Sequence, residues 1–428
     1  MKKEMLSLNS WIKEAAEWQQ PLDEFLIDYN MRELECSQED LLAKMQEMLD
    51  VMEKSVEHGL TGVRSHSGLT GGDAKKLAAA AGAEGFVNLL GEKALDAVIY
   101  ATAVGECNAA MGRIVAAPTA GASGVLPGVF FTLKKHCGLD AATLQRGMVV
   151  AGSIGMVINE RASLAGAMGG CQAECGSAAA MAAGAAVSML GGTPQQVGTA
   201  VAVVFKNVLG LVCDPVAGLV EVPCIKRNGA CALQALLAAE LALAGISSFI
   251  NADEAIDAMK SVGDALPCAL KETAGGGMAA TPSAIEWAKK TLPVNKKVAK
   301  ETLIMEVIAT TNAPKALGPY SQAVLAGSIL FVSGQIAINP ETGEMVQSSI
   351  EAETQQVLDN IEAILTEARF RFMDVVKTTI FVDDIKNFDA INAVYAKTFK
   401  IEPPARSFVQ VAALPKGAHV EIEVIARR

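Results

Sequence analysis

The sequence predicts a multidomain chain, a mainly α-helical domain followed by a smaller α+β domain. Three observations lead there. At 428 residues the chain exceeds what one hydrophobic core usually supports. All nine cysteines lie between Cys36 and Cys268, so the last 160 residues contain none. The run Glu286 to Lys300, EWAKKTLPVNKKVAK, carries five lysines and a proline and separates an Ala/Gly-rich pattern from short β-branched runs. The expected division is residues 1–290, a linker over 291–304, and residues 305–428.

In the first part, Ala/Gly runs fit helical and buried-strand templates equally well. Helix is favoured because long stretches such as Ala230 to Leu243 lack the turns that strands need every few residues. Hydrophobic residues reach 51% and mean hydropathy is +0.31, yet Ala and 38 Gly carry much of that content. This suits closely packed small-residue helices. Gly-rich breaks at Ser65 to Asp73 (SHSGLTGGD), Pro118 to Gly128 and Gly275 to Gly277 read as loops between them.

The second part reads element by element. Ile329 to Ala337 and Val375 to Val382 have strand character. Between them Val357, Ile361, Ile364, Leu365 and Ala368 recur at helical spacing, and Phe388, Ile391, Tyr395 and Phe399 mark a second apolar helical face. Ser407 to Leu414, then Val420, Ile422 and Val424 alternating with Glu421 and Glu423, give two closing strands. The order implies one sheet with helices on one face.

Several classes of function are disfavoured. Ser177 to Gly192 is too short for a membrane span and Gly229 to Ile250 is broken by Glu240, so both are read as core helices. The opening MKKEMLSLNSWIKEAAEW has no apolar signal-peptide region, which implies a cytoplasmic protein. A formal net charge of -11 argues against nucleic-acid binding. An odd cysteine count without a secretory signal turns attention from disulfides to metal ligation or burial.

Three segments carry candidate chemistry: GGCQAECGSAAAMAAG at 169–184, CDPVAGLVEVPC at 213–224 and APTAGASGVLPG at 117–128. No CxxC pair is present, so a structural zinc site is a poor match. Cys171, Cys213 and Cys224 could instead hold three irons of a [4Fe-4S] cluster and leave the fourth open as a Lewis acid. From spacing alone, burial of these thiols as small hydrophobes is the stronger reading.

Together with IKRN after Cys224, SGLTGGD and KETAGGGMAATPS at 271–283, these segments resemble the alpha chain of iron-sulfur L-serine dehydratases over most of residues 1–290. The resemblance implies a [4Fe-4S] cluster on Cys171, Cys213 and Cys224, and β-elimination of water from L-serine to 2-aminoacrylate, giving pyruvate and ammonia. Cys175 competes for the first ligand position. Cys231 and Cys268 are bystanders, and Cys36, Cys107 and Cys137 are read as core thiols. PTAGASG is expected to fold its N–H groups into an anion nest for the serine carboxylate, with Thr119 and Ser123 as donors. Of four histidines, His66 is the local candidate for the base that removes the α-proton. The Ser-Ser-Ser-His-Thr segment of single-chain relatives is missing, so a separate beta subunit is expected. No Ser-Xaa-Lys loop with a glycine-rich phosphate partner suggests pyridoxal phosphate.

GPYSQA at 318–323, FVSGQIA at 331–337, PARSFVQV at 404–411 and LPKGAHVEIEVI at 414–425 resemble the RidA family. That resemblance implies a chorismate-mutase-like α+β fold, a trimer with sites between subunits, and hydrolysis of 2-iminopropanoate and related imines. Arg406 is the matched carboxylate-binding residue and Glu421 the water-positioning carboxylate, with Tyr320, Ser333 and Asn392 as contacts. An Arg406–Glu421 ion pair is the structural alternative. Phe408 stands where many members carry Cys. The fusion is chemically coherent, because 2-aminoacrylate can inactivate pyridoxal enzymes and the tail would destroy it nearby. Threonine or cysteine as substrate, or an iron-sulfur sensor with a metabolite-binding tail, are the rival readings.

Overall fold

The computed structural model describes residues 5–291, 305–400 and 402–427. The chain forms two compact units, Met1–Pro293 and Val294–Arg428. Residues 292–304 of the expected linker lie outside the described residues.

The first unit is helical: α1 Leu8–Glu17, α2 Leu22–Leu34, α3 Gln38–Leu60, α4 Asp73–Ala81, α5 Gly91–Ala109, α6 Val125–Cys137 and α7 Ala141–Arg161. It continues with α8 Gly166–Gly169, α9 Ser177–Met189, α10 Pro194–Val208, α11 Cys224–Leu243, α12 Ala252–Ala265 and α13 Pro282–Thr291. The helix α9 (SAAAMAAGAAVSM) is the centre, with every residue except Ser188 buried. Helices α6, α7, α10 and α11 pack around it. Its small side chains let their axes approach closely, which is how an Ala/Gly-rich sequence builds a dense core. The same device joins α3 to α5, where a side chain at Gly59 would run into the Ala103 carbonyl.

Helix ends are fixed by side chains. Thr193 with Gln196 and Asn251 with Glu254 form capping boxes on α10 and α12. Asp253 accepts the Ser7 hydroxyl at 2.5 Å and the Leu8 N–H at 2.9 Å, pinning α1 to α12. Among the described residues one helix, α7, is long and apolar enough to cross a bilayer, and 61% of its apolar window is buried inside the unit. The segments Ser177 to Gly192 and Gly229 to Ile250, expected as core helices, run for the most part as α9 and α11.

Between α8 and α9 the chain widens into a π-turn, Gln172–Gly176. Gln172 is fully buried and holds the turn, donating to Met259 O at 3.0 Å and accepting the Gly210 N–H at 2.8 Å. Such a turn re-aims the side chains it carries. Here these include Glu174 and Cys175.

The second unit is a six-stranded sheet: β1 Met305–Ile308, β2 Ala323–Ala326, β3 Ile329–Gln335, β4 Val375–Val382, β5 Ala405–Gln410 and β6 Val420–Arg427, in the order β1-β2-β3-β6-β4-β5. Among the described residues of the sheet, only β4 and β5 pair in parallel. The helices are α14 Ile350–Glu367 and α15 Phe388–Thr398. Val357, Ile361, Ile364 and Leu365 are buried, as are Val420, Ile422 and Val424 of β6. Phe388 departs from the expected apolar face, since 37% of it is exposed beside Arg406.

The α3–α5 contact yields a direct test. Gly59→Ala is expected to lower stability by about 2 kcal/mol, because only backbone could yield. Gly82→Ala, whose nearest neighbour would be Ala79 O at 3.9 Å, should change it little. Chemical denaturation of the two variants checks this.

Candidate active sites

Cys171 precedes the π-turn, Cys213 lies between α10 and α11, and Cys224 opens α11. All three are buried, as are Cys175 and Cys231. Hydrogen bonds from the Cys175 and Cys213 thiols hold Cys171 well below the usual thiol range, with help from Arg227. Cys175 and Cys213, as donors to Cys171, are pushed up, and Cys175 also touches Cys231. Burial pushes Cys224 up to about 12, and the charge on Cys171 adds to that. The structure therefore brings Cys175 and Cys213 into hydrogen-bond contact with Cys171, and places Cys224 near enough to feel its charge. Cys268 and Cys137 are exposed and Cys36 is half-buried, so of the three thiols expected in the core only Cys107 lies there.

Backbone bonds set the thiols in place. Cys213 donates its N–H to Leu270 O at 2.9 Å and accepts the Glu272 N–H at 2.7 Å. Next to it, buried Asp214 pairs with Arg227 at 2.8 Å and accepts the Met278 N–H at 2.7 Å. Arg227 also donates to Val212 O at 2.8 Å. Asn228 donates to Cys224 O at 2.9 Å and Gly121 O at 2.7 Å, and accepts the Gly124 N–H at 2.8 Å. PTAGASG is thus bound to the Cys224 helix, and two N–H groups of the expected anion nest, those of Ser123 and Gly124, are already engaged. Glu221 accepts Ser67 Oγ at 2.9 Å and Thr70 Oγ1 at 2.8 Å, which joins SGLTGGD to the segment between Cys213 and Cys224.

One acid lies among the thiols. Glu174 is 9% exposed, and burial raises its carboxyl to about 7 against the hydrogen bond from Thr119. Thr119 Oγ1 donates to Glu174 Oε1, so this hydroxyl serves the carboxylate rather than standing free. A Cβ at Gly121 would come 2.5 Å from Oε1. A Cβ at Gly166 would come 2.8 Å from Cys213 Sγ and 3.2 Å from Glu174 Oε2, so both groups pack directly against this glycine, which has no room for a side chain. Ser123 Oγ is buried without a hydrogen-bond partner among the described residues. His66 is exposed and forms none of the hydrogen bonds that order its loop. Sequence reasoning passed over Glu174, Arg227 and Asn228. The available signal was a carboxylate inside an apolar run, where charge is seldom placed without cause.

Cys171, Cys213 and Cys224, buried thiols from three segments, are the residues that could hold a multi-iron centre. Among the described residues no three His, Cys, Asp or Glu side chains converge to hold one metal. Cluster thiolates each take a separate iron and need cationic or hydrogen-bonding support, which Arg227 and the backbone bonds offer.

In the tail, Arg406 Nη1 donates to Asn392 Oδ1 at 2.9 Å and the guanidinium lies 4.7 Å from the centre of the Tyr395 ring. Phe388 and Phe408 flank it. No Arg406–Glu421 ion pair forms, and register gives the reason. Arg406 pairs with Thr378 and Glu421 with Phe381, an odd offset along β4, so the two point to opposite sheet faces. Burial, and then the neighbouring Glu423 charge, raise the Glu421 carboxyl. Gly334 packs against that carboxyl where a side chain would collide. Ser333 Oγ donates to Ser321 O at 2.7 Å, and half-exposed Tyr320 accepts the Leu317 N–H at 3.1 Å.

A family model described as serine dehydratase alpha chain matches residues 3–279, and one described as endoribonuclease L-PSP matches residues 310–428. A Bacillus subtilis protein named "Probable L-serine dehydratase, alpha chain" is 51% identical over 269 residues, 63% of this chain and 89% of that protein. The "L-serine dehydratase, alpha chain" of Peptoniphilus asaccharolyticus is 41% identical over 258 residues, 60% of this chain and 87% of that one. A RutC family protein of Pyrococcus horikoshii is 51% identical over 121 residues, 28% of this chain and 96% of its own length.

Asn228→Ala would remove the partner of two buried backbone groups, the Gly121 carbonyl and the Gly124 N–H, at a cost of about 2 kcal/mol. We expect a lowered unfolding midpoint and faster reaction of Cys224 with a disulfide reagent in metal-free protein, read by thiol titration and mass mapping.

Proposed function

The chain belongs to the serine dehydratase alpha chain family through residues 3–279, and its tail to the RidA-type L-PSP family; on that premise we propose that it removes water from L-serine and hydrolyses the imine so formed. The observation that carries the first step is the buried Glu174 carboxyl set beside the Cys213 thiol, both packed against Gly166.

Cys171, Cys213 and Cys224 would hold three irons of a [4Fe-4S] cluster, which when bound supplies a Lewis-acidic iron for the substrate hydroxyl. Thr119 fixes Oε1 of Glu174 and leaves Oε2 to take the α-proton. Ser123 Oγ, buried without a partner, is a donor for the substrate carboxylate. Arg227 and Asp214 keep the Cys213 loop in register. Serine thus loses a proton from Cα and hydroxide from Cβ, leaving 2-aminoacrylate, which tautomerises to 2-iminopropanoate. The "alpha chain" name of its relatives points to a separate beta subunit that completes the site.

In the tail, Arg406 would grip the imino-acid carboxylate with its planar fork while Asn392 orients it. Glu421 would align the water that adds to the imine carbon, releasing ammonia and pyruvate. Because Arg406 and Glu421 lie on opposite faces of one sheet, a site using both takes one residue from each of two copies. Apolar side chains at Phe331, Val376 and Val409 are exposed on the tail and suit such an assembly, a trimer in the RidA pattern. Nine unpaired thiols fit a reducing compartment, and we place the protein in the cytoplasm.

Anaerobically reconstituted protein with its beta subunit should contain iron and convert L-serine to pyruvate faster than L-threonine or L-cysteine. Cys171→Ser, Cys213→Ser and Cys224→Ser should each lose iron, whereas Glu174→Gln should keep it and lose about 100-fold or more in kcat. Wild-type protein without iron would sink the dehydratase reading.

For the tail, Glu421 must be ionised to orient water. Its raised carboxyl sets the acid limb of imine hydrolysis above the ordinary glutamate value of about 4.3. Activity falls as pH drops through that limb. Glu423→Gln removes the like charge and should move the limb to lower pH, while Glu421→Gln should abolish turnover, both read from pH–rate profiles.

A further inference from the structure

The segment Leu270 to Met278 (LKETAGGGM) is strapped to the Cys213 loop at both ends. Leu270 and Glu272 bond the backbone of Cys213, and Met278 bonds Asp214. Between these ties the backbone is forced: Glu272 has φ 62° and Ala274 φ 54°, the left-handed region where side chains other than glycine are strained. Gly277, at φ 59°, packs against Asp214 where any side chain would collide. The strain at Glu272 buys no contact for its side chain. Its carboxylate is exposed and enters no ion pair or hydrogen bond among the described residues. Yet it stands near enough to the pocket for its charge to push up both Glu174 and Cys213.

The substrate brings three polar groups. A hydroxyl and a carboxylate have partners in the reading above, and the α-ammonium has none. Glu174 cannot serve it while also receiving the α-proton, and Asp214 is engaged by Arg227 and Met278. We propose that Glu272, presented in a left-handed conformation by its N–H bond to the Cys213 carbonyl, receives the α-ammonium of the substrate and makes the site select amino acids over the corresponding hydroxy acids. The proposal rests on the dehydratase reading and deepens it.

The test uses the cluster-loaded complex with its beta subunit, L-serine as substrate and glycerate, which lacks the ammonium, as competitor. Glu272→Gln and Glu272→Gly should raise KM for serine about tenfold or more while kcat changes far less, since a charged hydrogen bond is lost from substrate binding. Glu272→Asp should recover part of the loss. Inhibition by glycerate should hold steady or strengthen. Glycine is the residue best suited to φ 62°, so a purely conformational role predicts that Glu272→Gly behaves as wild type, with equal or higher stability. An unchanged KM in Glu272→Gly, or a fall in kcat at constant KM, overturns the assignment. Inactive wild-type complex would instead remove the dehydratase reading on which it stands.

Discussion

Desolvation of a carboxylate inside a helical unit sets the terms for everything around the first site. A buried charge without partners costs more than a domain can usually bear, so the surrounding chain has to supply bonds or leave the group protonated. Around Glu174 it does some of each: one hydroxyl holds Oε1, burial favours the proton, and two glycines keep side chains away from both oxygens. The thiols obey the same rule. Cys171 gains hydrogen bonds from two neighbours and from Arg227, the next N–H, that of Gln172, bonds Leu211 O ahead of the Cys213 loop, and Asn228 ties the Cys224 turn to Gly121. Those ties hold only because α9 and its neighbours are packed at small-residue distances, so the supports cannot drift.

The tail follows a different constraint, the period of two along a strand. Arg406 falls on the helix-covered face, where Tyr395 and Asn392 of α15 meet it, and Glu421 on the other. No rotamer can bring them together within one copy. An apolar outer face and a split pair of functional groups therefore call for the same remedy, association of copies. The monomeric alternative, an Arg406–Glu421 ion pair, is excluded by register alone.

Much of this was legible in the amino-acid order. Both architectures, the alternating β6 pattern and the apolar stripe of α14 could be read because periodicity reports burial directly. Cys171, Cys213 and Cys224 could be named, though spacing did not distinguish them from buried thiols. What could not be read was long-range polar pairing. Asn228 lies 107 residues from Gly121, and Glu174 lies 55 from Thr119. No local pattern marks such pairs. His66 drew attention because histidine titrates near neutrality, whereas a glutamate becomes comparable only through burial that the chain creates on folding. Thr119 was read as a substrate donor for a related reason: a hydroxyl in a glycine loop gives no hint that a carboxylate from another segment will occupy it.

The two proposed steps also explain why they occupy separate units. Elimination needs a base whose proton affinity is raised by exclusion of water, and a pocket closed enough that Cβ loses hydroxide rather than exchanging with solvent. Imine hydrolysis needs water as a reactant, and Glu421, only half-buried, can be reached by it. A pocket dry enough for Glu174 would starve the second reaction, and one wet enough for Glu421 would return Glu174 to an ordinary, weakly basic carboxylate. Joining two folds on one chain meets both demands, and the reactive intermediate then has only to cross between sites with opposite requirements for water.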